Sequence, residues 1–103
     1  MVAISGSIEN LVGANVSDFV LIAKPERPFY NGNILIPVDG VRFYPASGNL
    51  EFELPETESL EQLIAFSANY TSGGIYCEIL FSPVLIPDQP FVALSDLLNP
   101  IIA

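Results

Sequence analysis

The sequence predicts an all-β protein, an antiparallel β-sandwich of about seven or eight strands with at most a short helical turn near the carboxyl end. Nine prolines and seven glycines punctuate the 103 residues, and no stretch between them sustains a 3.6-residue apolar period over three turns. Runs of about five to eight residues instead alternate apolar with polar, the period of a half-buried strand. The length suits a single hydrophobic core, so residues 1–103 are read as one domain.

The first strand is read from Val2 to Glu9, with Val2, Ile4, Gly6 and Ile8 on one face, followed by a turn over Asn10 to Asn15. Val16 to Ala23 is apolar on both faces, which is the signature of a central strand. The Lys24-Pro25-Glu26-Arg27-Pro28 stretch stops it, because proline cannot donate to the ladder. Asp39-Gly40 lies between apolar runs, so Asn33 to Tyr44 is expected to form a small hairpin. Asn49 to Leu54 gives the cleanest alternation: Leu50, Phe52 and Leu54 face the core and Glu51 and Glu53 face water, until Pro55 ends the run.

An acidic turn over Pro55 to Leu60 leads to a strand over Gln62 to Tyr70, with Ile64, Phe66, Ala68 and Tyr70 on one face. Thr71-Ser72-Gly73-Gly74 reads as a hairpin loop. Ile75 to Ser82 then turns Ile75, Cys77, Ile79 and Phe81 inward and Tyr76, Glu78 and Leu80 outward. The segment 83–103 is apolar but irregular; Val84 to Ile86 and Phe91 to Leu94 are read as edge-strand pieces, and Ser95 to Leu98 as a helical turn.

Composition narrows the function. A net charge of -9 from twelve acids and three bases repels a phosphate backbone, which sets nucleic acid aside as a partner. The absence of histidine and the single Cys77 remove the commonest general base, the usual zinc ligand sets and any intramolecular disulfide. The longest unbroken apolar run, Phe19 to Ala23, falls far short of the roughly 20 residues of a membrane-spanning helix. The amino terminus lacks a positively charged leader, so synthesis in the cytoplasm without a signal peptide is expected.

No catalytic, metal or cofactor set emerges from the motifs. Glu51, Glu53, Glu56, Glu58 and Glu61 crowd a short stretch, but no calcium-loop pattern of aspartates and glycine accompanies them, and a solvated acidic face accounts for the run. Nine serines offer hydroxyls without a Gly-x-Ser-x-Gly or Ser-x-x-Lys context, and Cys77 reads as a core thiol. All three bases, Lys24, Arg27 and Arg42, fall in the first 42 residues, whereas the rest of the chain carries eight acids and no base. Lys24, Arg27 and Arg42, with Glu51 and Glu53, are therefore the candidate electrostatic contacts, although solubility explains the acids as well. The apolar carboxyl segment either closes the core or docks on another chain; Leu97, Leu98, Ile101 and Ile102 are the candidate assembly contacts. Tyr30, Tyr44, Tyr70 and Tyr76 are the candidate contacts for an alternative carbohydrate- or receptor-binding role.

Ile4-x-Gly6-x-Ile8, Gly13-x-x-Val16 and the strand Asp18 to Ala23 resemble the opening of transthyretin-like and carboxypeptidase-regulatory-like (Ig-like) β-sandwich domains. Gly48-Asn49-Leu50-Glu51-Phe52-Glu53-Leu54-Pro55 is similar to their Gly-x-Phe-x-Phe-x-Leu-Pro step. Phe81 to Pro87, followed by Ala93 to Leu98, resembles the ending of such domains in phage virion proteins; Ala46-Ser47 stand where that family usually has an acidic residue. The resemblance implies a non-enzymatic structural protein on a virion surface, a capsid decoration (cement) protein or else a tail-fibre or baseplate adaptor. Its expected partners are capsid or tail subunits and other copies of itself, and a chain beginning at Met1 suits the decoration role.

Overall fold

The computed structural model describes residues 1–13, 15–31 and 34–98. Among them the strands are β1 (Val2–Ser7), β2 (Val16–Pro25), β3 (Phe29–Asn31), β4 (Ile34–Ile36), β5 (Val41–Phe43), β6 (Asn49–Leu54), β7 (Ile64–Ser72), β8 (Ile75–Leu80) and β9 (Phe91–Ala93). Two short helices, α1 (Ile8–Val12) and α2 (Leu94–Leu97), accompany them. A three-stranded sheet in the order β6-β1-β9 packs on a four-stranded sheet in the order β5-β2-β7-β8, and β3 pairs with β4 alone. The protein is the expected all-β sandwich, its strands antiparallel except that β9 runs parallel to β1.

The core forms where the inward rows of the two sheets meet. Val2 and Ile4 of β1 and Leu50, Phe52 and Leu54 of β6 come from one sheet, and Phe19, Leu21, Ala23, Ile64, Phe66 and Ala68 from the other. Phe43 on β5 stacks on Phe52 with ring centroids 4.1 Å apart, which sets edge strand β5 over edge strand β6. Strand β2 is central, as its two apolar faces require: Leu21 is in the core, and Ile22 is buried on the opposite face. Covering that outer face is the role of the turn at Gly40, whose φ is +93°. A Cβ there would lie 2.8 Å from the Ala23 carbonyl oxygen and 3.2 Å from Ile22 Cγ2, so only glycine lets the turn approach so closely.

Several local expectations are corrected. The first strand stops at Ser7, whose hydroxyl accepts the Glu9 N–H at 3.2 Å and caps α1. Ile8, Leu11 and Val12 reach the core from that helical turn instead of continuing the strand. The Asp39-Gly40 turn does not close a hairpin, because β4 pairs back on β3 while β5 crosses to β2. A turn signal locates a reversal without choosing the partner strand, and here burial of Phe43 makes the choice. Strand β2 also runs through Pro25, which pairs with Ile64 at the end of the ladder.

The β7–β8 hairpin is tighter than expected, with Gly73 and Gly74 alone in the turn at positive φ. On β8 the inward row is only half realised. Phe81 is buried and Ile79 packs on the core, but Cys77 is half-exposed and Ile75 is 68% exposed. With β6 aligned over β5, the narrower sheet runs out before it reaches the far edge of the wider one.

The carboxyl segment folds back on its own chain. Val84 bridges Ile64 through both backbone bonds, and Ile86 is fully buried. The Thr57 hydroxyl accepts the Ile86 N–H at 2.8 Å, while the Thr57 N–H donates to the Ile86 carbonyl at 2.9 Å. After β9, helix α2 buries Leu94 and Leu97, and Leu98 follows them into the core. Leu97 and Leu98 are therefore core residues rather than exposed assembly contacts, because α2 seats on β1 at Gly6; Ile101 and Ile102 lie outside the described residues.

Two stability outcomes follow. A Cβ on Gly6 would lie 2.6 Å from Leu94 Cβ, so Gly6→Val should displace α2 and cost about 1–3 kcal/mol in urea unfolding. Thr57→Val keeps the shape but leaves the Ile86 N–H without its acceptor, and should also cost about 1–3 kcal/mol, whereas Thr57→Ser should cost less.

Candidate functional site

The charged candidates separate onto opposite sides of the sandwich. Arg42 faces Ile22 across the β2–β5 ladder, and Lys24 lies two residues along β2 from Ile22; both are exposed on the outer face of the four-stranded sheet. Glu51 and Glu53 are exposed on the outer face of the three-stranded sheet, opposite Ser5 and Ala3. The fold thus joins Lys24 with Arg42 and Glu51 with Glu53, and keeps the two pairs apart. Arg27 has a different role: its Nε donates to Gln62 Oε1 at 3.0 Å, and Gln62 Nε2 donates to the Leu63 carbonyl at 3.1 Å. Gln62 is buried, so Arg27 completes the hydrogen bonding of an interior amide.

Across the outer face of β6-β1-β9 the register sets Glu53, Ala3 and Phe91 in one row and Glu51, Ser5 and Ala93 in the next. Small residues in the middle leave a shallow depression bordered by carboxylates on one side and by Phe91 on the other. Phe91 is 77% exposed, the most exposed of the large apolar residues among those described. On the opposite face, Leu63, Ala65, Pro83 and Val38 border a second shallow depression beside Lys24. Strand β8 adds Ile75, Tyr76 and Leu80, all exposed.

The tyrosines belong to separate elements. Tyr30 is exposed on β3, Tyr44 is exposed just after β5, and Tyr76 is exposed on β8. Tyr70 is half-buried and stacks on Phe19, with ring centroids 6.3 Å apart. At the end of the core, Ala23, Phe29, Ile36, Leu54, Ile64 and Ile86 line an apolar space with no room for a water molecule. That space is packing, not a ligand pocket.

Within the acidic run, Glu56 is engaged locally. Its carboxylate accepts the Ser59 hydroxyl and, at 3.0 Å, the Ser59 N–H. The hydroxyl bond first and the backbone bond second hold its carboxyl below the usual glutamate range. Among the described residues no group of three or more His, Cys, Asp or Glu could hold a metal ion, and no helix is long and apolar enough to cross a membrane.

Sequence reasoning overlooked Thr57, Gln62 and Phe91, and it placed the exposed Ile75 in the core. The first two are polar residues whose burial follows from long-range closure, and no local pattern marks them. Phe91 follows Pro90 at the start of an edge strand, a position compatible with exposure.

In an NMR pH titration Glu56 should protonate below the ordinary glutamate pKa, and Ser59→Ala should raise its pKa. The folded pKa is depressed, so the turn's contribution is complete above the ordinary glutamate pKa and is lost as pH falls through the lower, folded value.

No family model, no curated protein and no solved structure matches the chain, so the resemblance to transthyretin-like domains rests on its own strand and turn residues.

Proposed function

We propose that this chain is a non-enzymatic structural protein of a phage virion, a decoration module that stabilises the capsid through protein–protein contacts. The observation that carries the reading is the exposure of large apolar side chains on a folded sandwich: Phe91 at 77% and Ile75 and Tyr76 at 68% each. Water gains little from such groups, whereas a partner surface that buries an aromatic anchor gains much of its affinity from it. The contact role expected of Leu97 and Leu98 passes in this reading to Phe91, Ile75, Tyr76 and Leu80. The virion context is supported by the sequence resemblance around Gly48 to Pro55 and Phe81 to Leu98.

Purified chain should co-sediment with capsids that lack it, at a copy number matching a lattice site, and should raise the temperature at which they release their DNA. Phe91→Ala should weaken that binding by roughly tenfold, about 1.4 kcal/mol, while leaving the melting of the free protein unchanged. A few copies confined to tails would assign the adaptor role instead, and no binding to capsid or tail would reject the virion reading.

A further inference from the structure

The edges of the two sheets are not equally guarded. Strand β5 is three residues long and carries Arg42 at its centre. Strand β9 is equally short and is entered from Pro90, and β6 carries Glu51 and Glu53 and ends at Pro55. Shortness, charge and proline are the devices that keep a strand edge from recruiting another strand. Strand β8 is the least guarded: Ile75–Leu80 is six regularly paired residues without proline or bulge, and it carries a single charge, Glu78. Glu78 faces Asn69 of its own sheet. Among the described residues, the outer backbone edge of β8 has no strand beside it.

The same strand overhangs the narrower sheet: Ile79 still packs on the core, and Ile75 and Cys77 continue its inward row beyond the cover. We infer that a second copy of this chain pairs its β8 antiparallel with β8 across a two-fold axis normal to the sheet, joining two four-stranded sheets into one. Opposite residues of an antiparallel pair share a face, so the uncovered inward rows of the two copies become continuous. Charge excludes one register, and pairing of the apolar inward residues selects another. A two-fold centred on Glu78 would set two carboxylates opposite each other at about 5 Å, which is unfavourable. Centring it on Cys77 sets Tyr76 opposite Glu78 of the second copy on the outer face, and Ile75 opposite Ile79 of the second copy on the inner face. The interface is then self-complementary, as an isologous dimer requires.

This inference rests on the reading that the chain works by contact, and its test separates the two. Sedimentation velocity over a wide concentration range should show a reversible dimer. Tyr76→Glu sets a carboxylate opposite each Glu78 and should weaken the dimer by roughly tenfold, because the two-fold repeats the pair; Tyr76→Lys should tighten it. Tyr76 is 68% exposed, so both variants keep the fold, which their melting curves report. Hydrogen exchange supplies a second readout: protection along β8 should rise with concentration, while β5, β6 and β9 stay unchanged.

A monomer at every concentration overturns the pairing, as does a dimer that responds alike to both Tyr76 substitutions. Protection of β8 that appears only when capsids are added assigns the edge to a particle protein and also overturns it. A monomer that binds capsids leaves the contact function standing, whereas a dimer that binds none retains the pairing and removes that function.

Discussion

The packing of a four-stranded sheet on a three-stranded one, with one pair of edges aligned by the stacked rings of Phe43 and Phe52, is the constraint from which the other features follow. Alignment at β5 and β6 seals that side of the core. Among the described residues it also leaves the opposite side of the wider sheet without a facing strand. Ile75 and Cys77 alternate as core residues should, yet neither is buried, because among the described residues no strand of the facing sheet covers them.

Closing the open end of the sandwich falls to the last third of the chain. A segment that crosses the core without a sheet partner must satisfy its backbone groups by other means. Thr57 meets that need at Ile86, Val84 bridges Ile64, and Gln62 is held between Arg27 and its own backbone. These bonds let Ile86, Leu94, Leu97 and Leu98 enter the core as hydrophobic weight. The carboxyl segment is apolar because it forms part of the interior, and the surfaces left for contact are the outer faces and the β8 edge.

Charge then organises those surfaces. Only three bases are present, and Arg27 is committed to Gln62, so Lys24 and Arg42 are the bases on the outer face of the four-stranded sheet, which they share with Glu78. Glu51 and Glu53 mark the other face beside Phe91. With a net charge of -9, copies of the chain repel one another at long range, so any association depends on short-range burial at a site where like charges are kept apart.

The sequence by itself determined the class of the fold and the strands whose two faces differ. Leu50 to Leu54 and Ile64 to Ala68 alternate so regularly that face and burial follow from the two-residue period. Central placement of β2 was legible for the same reason, in the apolar character of both its faces. Tertiary structure alone decided which strands became neighbours and how wide each sheet would be. Asp39-Gly40 marks a reversal, but only the stacking of Phe43 on Phe52 sends β5 to β2. Leu97 and Leu98 are apolar in either role, and only the seating of α2 against β1 makes them core. Ile75 has the correct parity for burial, and only the missing cover beyond the third strand exposes it. Period and composition are local properties, whereas burial depends on what another part of the chain places opposite.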